Sequence, residues 1–222
     1  MCGVIGVWMK NADTQLVRRL FRETQIRGKH ATGLSFVRDD KIWTYKSGKT
    51  TEVFFNNFDI NNVVNEDGGI YLIGHIRYST SNLKYNQPFS DENMSIVHNG
   101  VISQEPVRKW KYYKKVSTEN DSEQILHSYN NGQHPLKDFK PSSQAVCTLQ
   151  RNKTLTGYRN EARPLWWTKI HDGIIFTSTK DIALRSGLIN PQKCGMYWDY
   201  IYQDNELNFE VVEAVNIEDL QV

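Results

Sequence analysis

Cysteine is scarce in this chain: 222 residues hold three, Cys2, Cys147 and Cys194. They are too few and too scattered for a disulfide framework or a zinc site. Long apolar runs are missing, and the mean hydropathy is -0.59, so no membrane-spanning helix is expected. No signal peptide is expected either, because Lys10 and Asp13 interrupt the first apolar segment too early. Neither sign of charge dominates: 27 basic against 25 acidic side chains leave +2, which sets aside a polybasic nucleic-acid binder or an acidic tail. No internal repeat, low-complexity linker or phosphate-binding GxxxxGK[ST] loop occurs. A reducing, cytoplasmic setting is the expected location.

Aromatic residues are plentiful instead, at 12% with six Trp and eleven Tyr, which indicates a packed interior rather than a disordered chain. Cys2–Met9 reads as a buried strand. Asp13 is placed to cap a helix reaching about Ile26, with Leu16, Leu20 and Phe21 near helical spacing. Ala31–Val37, Ile42–Tyr45, Ile70–Tyr78 and Ser95–His98 carry strand composition, the last ending at the Asn99–Gly100 turn. Helices are expected over Glu105–Tyr113 and Asp121–Tyr129. Short strands follow over Gln144–Gln150, Thr154–Tyr158, Leu165–Ile170, Ile174–Thr177, Met196–Tyr202 and Leu207–Val212, with a helix over Lys180–Arg185 among them. Strands in adjacent runs, rather than alternating strictly with helices, indicate an α+β layered domain with antiparallel sheets.

Cys2 is the first candidate for chemistry. It is small enough for removal of the preceding methionine, which leaves its thiol beside a free α-amine. Such an amine has a reference pKa of about 7.7–8.0 and the thiol about 8.5. The amine is thus partly neutral near neutral pH and can accept the thiol's own proton, a general base on the same residue as the nucleophile. The alternative is a small apolar residue that opens a strand.

Cys2 keeps particular company. It is followed by Arg27-Gly28, Ala31-Thr32-Gly33-Leu34, Gly74-His75-Ile76-Arg77-Tyr78-Ser79-Thr80, Asn86-Gln87-Pro88-Phe89, His98-Asn99-Gly100, Asn120-Asp121-Ser122-Glu123, and Arg159-Asn160 with Arg163-Pro164-Leu165. In that order and at those intervals, from Cys2 to about Leu184, the series resembles the glutaminase domain of class II glutamine amidotransferases, whose nucleophile is an N-terminal cysteine. The loops GHIRYST and NQPF look closest to the glutaminase half of glutamine phosphoribosylpyrophosphate amidotransferase. The resemblance implies a four-layer αββα N-terminal-nucleophile fold with two stacked antiparallel sheets.

It also implies roles. Amide hydrolysis passes through a tetrahedral oxyanion that needs preorganised donors, and the positions matching the family's donors are the Asn99 side chain and the Gly100 N–H. Arg77 matches the arginine that pairs with the substrate α-carboxylate, where a planar fork suits two oxygens. Thr80 would add a hydroxyl donor, and Asp121 matches the acid that receives the α-ammonium. Read alone, Asn99–Gly100 is also an ordinary hairpin turn, and Asp121 also suits a helix N-cap. Arg27 matches an arginine near the nucleophile, where a guanidinium favours thiolate, though it equally suits a helix C-terminus. Tyr78 and His98 are supporting residues, and His75 packs behind the site.

The sequence departs from the family twice. Arg-Gly-x-Asp is usual after the first helix, whereas His30 stands at the acidic position, and the segment between Arg159 and Pro164 is short. Cys147 and Cys194 are expected to be inert. Lys109–Lys115 mixes basic and aromatic residues, but the balanced overall charge argues against nucleic acid. Residues 1–222 are expected to be a single glutaminase-type domain with no synthase domain, no cofactor and no metal. The implied reaction converts glutamine to glutamate and ammonia for a separate acceptor protein. Two alternatives stay open: hydrolysis of another γ-glutamyl amide, and a non-catalytic member that binds a partner or an amino acid.

Overall fold

The computed structural model of the chain describes residues 1–79 and 83–212. Its strands are β1 (Gly3–Met9), β2 (Ala31–Arg38), β3 (Lys41–Ser47), β4 (Ile70–Arg77), β5 (Phe89–Ser90), β6 (Met94–Val101), β7 (Ser143–Gln150), β8 (Leu155–Arg159), β9 (Trp166–Ile170), β10 (Gly173–Thr177), β11 (Gln192–Lys193), β12 (Trp198–Gln203) and β13 (Glu206–Val211). The helices are α1 (Thr14–Thr24), α2 (Thr51–Asn57), α3 (Glu123–Asn130), α4 (Pro135–Asp138) and α5 (Lys180–Arg185).

Two antiparallel sheets form, in the orders β11-β9-β10-β1-β4-β2-β3 and β13-β12-β8-β7-β6-β5. Side chains alternate across each strand, and three apolar clusters follow from that alternation. Ile5, Val7 and Met9 of β1 pack with Leu20 and Phe21 of α1 on the outer face of the first sheet. Val4 and Trp8 of the same strand pack with Val97, Ala145 and Cys147 between the sheets. Ile96 and Val146 face outward from the second sheet, against Ile125 and Leu126 of α3. The result is helix, sheet, sheet, helix: the four-layer αββα arrangement, α+β in content.

Asp13 caps α1 as its side chain suggests, with Oδ1 accepting the Leu16 N–H at 2.8 Å. The helix ends at Thr24, and a 3₁₀ turn, Gln25–Arg27, carries the chain on. Gly74 of β4 lies under the Phe21 ring, where a Cβ would overlap the aromatic carbons. Burying a side chain such as that of Phe21 is worth about 1.5–3 kcal/mol.

The helix expected over Glu105–Tyr113 does not form. That stretch holds only a 3₁₀ turn, Val107–Lys109, followed by hydrogen-bonded turns to Lys115. Pro106 opens the turn, and the Trp110 Nε1–H donates to the Glu105 carbonyl at 2.7 Å, so the aromatic side chains fold back on the loop instead of lining a helix face. The helix expected over Asp121–Tyr129 is α3, which begins at Glu123, two residues later. Two helices carried no clear signal: α2, seven residues capped by Thr50, and α4, one turn after His134. Both are too short for periodicity to register.

Candidate active site

The same alternation that builds the inter-sheet core also builds the site. Cys2 precedes β1 and shares a parity with Val4 and Trp8. His75 and Arg77 share theirs with Ile73 of β4, and Asn99 shares its parity with Val97 of β6; Val4, Trp8, Ile73 and Val97 all belong to the inter-sheet core. One end of the gap between the sheets therefore receives a thiol, an imidazole, a guanidinium and an amide in place of apolar side chains. A cavity of about 280 Å³ opens there, lined by Cys2, Arg77, Gly100 and Asp121 among others.

The thiol is half-buried, and the Cys2 Sγ–H donates to the Tyr78 carbonyl at 3.9 Å. Burial pushes the Cys2 thiol up, opposed in part by the positive charges of the N-terminal ammonium, Arg77 and Arg27. Arg27 reaches the same residue from the 3₁₀ turn, its Nε–H donating to the Cys2 carbonyl at 3.4 Å and Nη2 to Met1 Sδ at 3.3 Å. Tyr78 is exposed and acts on Cys2 through its main chain, while its ring packs on His30 with centroids 5.1 Å apart. Gly28 is required in this corner, since a Cβ there would stand 2.5 Å from the Tyr78 nitrogen.

Arg77 is buried and held from behind, with Nη1 donating to the Tyr85 carbonyl at 2.7 Å and to Asn86 Oδ1 at 2.8 Å. Asp121 is held by two main-chain donors: its Oδ2 accepts the N–H groups of Ile102 and Ser103 at 2.6 and 3.0 Å. It does not cap α3, whose N-cap residue is Ser122. Glu123 ties down the loop before that helix, accepting from the main chain and hydroxyls of both Ser117 and Thr118. Burial raises its pKa, but those hydrogen bonds outweigh it and the carboxyl sits below its ordinary range.

Asn99 is 2% exposed, and its Nδ2 has no hydrogen-bond partner among the described residues. A buried amide donor left unpaired costs about 1–3 kcal/mol and calls for an explanation. Gly100 follows with φ 156°, and a Cβ at that position would overlap the Ser143 carbonyl, so β6 and β7 approach as closely as they do only because this residue has no side chain.

His98 belongs to a chain of bonds rather than to the reacting surface. Gln87 Nε2 donates to Ser122 Oγ at 3.1 Å, leaving the Ser122 hydroxyl to donate to His98 Nδ1 at 2.8 Å, and His98 Nε2–H donates to the Ser143 carbonyl at 3.0 Å. This is the bonding of a neutral imidazole, and burial lowers the His98 pKa accordingly. Gln87 also brackets the His98 main chain, accepting its N–H at 2.6 Å and donating to its carbonyl at 3.0 Å. His75 is fully enclosed; burial, with Arg77 nearby, brings its pKa down to about 3.

The His30 departure has a structural answer. His30 Nδ1 accepts the Ser79 N–H at 2.8 Å, so the imidazole offers an acceptor to the loop after β4, as a carboxylate at this position could. Thr80 lies outside the described residues. Sequence reasoning assigned no role to Gln87, Asn86 or Ser122, although Asn86-Gln87 and Ser122 stood in the motif series; their work is to hold other residues, which no spacing reveals. Among the described residues no group of three or more His, Cys, Asp or Glu is placed to hold a metal ion, and no helix is long and apolar enough to cross a membrane.

Stacked antiparallel sheets with a cysteine at the leading end of a central strand define the N-terminal-nucleophile fold. The solved structure of glutamine phosphoribosylpyrophosphate amidotransferase from Bacillus subtilis, complexed with ADP and GMP, superposes with a TM-score of 0.79 at 20% identity, covering 96% of this chain and 49% of that one. A glutamine aminotransferase class-II domain protein from Silicibacter pomeroyi matches with a TM-score of 0.58 at 9% identity, covering 95% of this chain and 99% of that one. In sequence, the chain is 33% identical over 231 residues to the amidophosphoribosyltransferase of Pyrococcus horikoshii, covering 95% of this chain and 49% of the relative. No family model matches the chain. The chain is a homologue of the amidophosphoribosyltransferases across their class II glutamine amidotransferase domain, and it spans about half or less of the length of the amidophosphoribosyltransferase relatives it matches.

Proposed function

We propose that the chain hydrolyses the side-chain amide of glutamine through a thioester on Cys2, giving glutamate and ammonia. The observation that carries this reading is the shared cavity of Cys2, Arg77, Gly100 and Asp121: a thiol accompanied by the Arg77 guanidinium and the Asp121 carboxylate, the two charges that a free amino acid's α-carboxylate and α-ammonium require. Met1 is 61% exposed and open to an aminopeptidase, whose action transfers the free amine to Cys2.

In the proposed reaction the α-amine takes the thiol proton and Sγ attacks the amide carbon. The carbonyl oxygen becomes an oxyanion facing the Asn99 Nδ2 and the Gly100 N–H, which supplies a partner for the orphaned Asn99 donor. The tetrahedral species collapses as the ammonium of Cys2 protonates the departing nitrogen, so ammonia leaves and a γ-glutamyl thioester remains. Water, deprotonated by the same amine, adds to the thioester carbon and expels the thiol. Arg77, with Thr80, holds the substrate carboxylate, and Asp121 holds its ammonium. Arg27 keeps the leading residue seated, Tyr78 and His98 support the loops, and the reaction needs neither cofactor nor metal. The released ammonia serves an acceptor on a synthase partner, and a thiol nucleophile suits a reducing cytoplasm.

The test is glutamate and ammonia release by purified protein whose N-terminal residue has been read by mass spectrometry. Chain beginning at Cys2 is expected to turn over glutamine. Equal background in the processed chain and in Cys2→Ala would refute the reading, as would activity in chain that retains Met1. Larger γ-glutamyl amides assayed beside glutamine test the neighbouring substrate class.

A further inference from the structure

Beside the cysteine cavity lies a larger one of about 730 Å³, walled by Val101–Glu105, Lys109–Lys111, Asp138–Ser143, Gln124 and Arg163. The two cavities share Val101, Ser103 and Trp110, yet the larger contains none of the residues assigned to glutamine above. Its volume is in the range of small-molecule sites, about 300–1,000 Å³.

Its polar lining is unbalanced in one direction. Gln124 is 1% exposed, and its Oε1 is engaged by the Tyr112 N–H at 3.4 Å while Nε2 has no partner among the described residues. Arg163 is half-buried, and its enclosed Nε also has no partner among the described residues. Both groups can only donate. Lys109 pairs with Glu105 at 2.9 Å and Lys111 pairs with Asp138, so the acids lining the cavity are already taken. Burial chiefly lowers the pKa values of Arg27 and His98, and the charge of Arg163 adds to the lowering of both. Two enclosed donor groups, one on a cationic side chain, that no described residue satisfies are placed to receive an occupant that brings acceptors.

We infer that this second cavity binds the anionic oxygen group, carboxylate or phosphate, of a small molecule, with Arg163 and Gln124 as its buried donors and Lys140 at its rim. The site is independent of whether Cys2 turns over glutamine. It touches the catalytic region through Val101–Ser103, whose Ile102 and Ser103 N–H groups hold Asp121.

The experiment is isothermal titration of the full chain in the Cys2→Ala background, so that neither catalysis nor the thiol contributes, with inorganic phosphate in one arm and succinate in the other. Saturable binding in at least one arm is expected, with a dissociation constant of about 1 mM or tighter, and Arg163→Met is expected to weaken it at least about tenfold. Gln124→Leu is expected to weaken it several-fold. Lys140→Met, an exposed change that leaves the core intact, is expected to weaken it too and serves if either buried variant fails to fold. Binding of phosphate alone or of succinate alone assigns the source of the anion. No binding of either probe at about 10 mM overturns the inference, as does binding that the folded variants leave unchanged, which would mark an adventitious surface ion only.

Discussion

The two ends of the gap between the sheets are built on the same strands and differ in what fills them. At one end Trp8 stands in edge contact with Tyr71 and Tyr202, ring centroids 5.1 and 4.9 Å apart, and its Nε1–H donates to the Lys153 carbonyl at 3.0 Å. Lys153 pairs with Asp67 over that end at 2.8 Å, beside a smaller cavity of about 210 Å³ that the same residues line. At the other end Cys2, His75, Arg77 and Asn99 occupy equivalent positions, and the space stays open. Large rings pack the core side of the Trp8 end, and the Trp8 N–H and Tyr71 hydroxyl both find partners there. Small and polar side chains leave a cavity and an unpaired amide at the open one. The contrast teaches that stability and chemistry are divided along a single strand, β1, by side-chain size.

Acid should expose the contrast most. His75 titrates from 6.5 in the unfolded chain and near 3 in the folded one, so the unfolded state binds the extra proton between those values. The stability contribution of neutral His75 is full above pH 6.5 and falls as pH drops toward 3, by at most about 5 kcal/mol. Urea midpoints measured from pH 7 to pH 4 should fall steeply, and His75→Gln should flatten the fall; an unaltered slope would contradict the assignment. At the Trp8 end, Trp8→Ala should remove about 3–5 kcal/mol of stability, read by denaturant unfolding, with kcat per folded molecule nearly kept. Asn99→Ala reverses the pattern: kcat should drop about 10²- to 10³-fold while the melting temperature holds or rises, because an unpaired buried donor has been removed. The smallest effect belongs to His30. His30→Asp should leave KM for glutamine near the parent value, and His30→Phe, which removes the acceptor for the Ser79 N–H, should cost under about 1 kcal/mol in kcat/KM.

Much of this architecture was legible beforehand, for stated reasons. β1, β2, β4, β7 and α1 announce themselves through composition, period and the Asp13 cap, all local properties. The motif series marked Cys2, Arg77, Asn99, Gly100 and Asp121, and the fold brings Cys2, Arg77, Gly100 and Asp121 to one cavity. The segment from Glu105 to Tyr113 misled because Trp110, Tyr112 and Tyr113 read as an apolar face, whereas Pro106 and the Trp110 bond to Glu105 bend it into turns. Gln87, Ser122 and Arg163 were invisible as working parts: each acts on a residue distant in sequence.

What the order of residues determined by itself is the alternation that gives β1 an outward face of Ile5, Val7 and Met9 and an inward one of Cys2, Val4 and Trp8, because adjacent side chains on a strand must point opposite ways. Tertiary structure alone decided which polar groups end with partners and which do not. Whether Asn99, Gln124 and Arg163 find acceptors depends on the separation of two sheets and a loop, and such long-range spacing is set by packing, which no local pattern encodes.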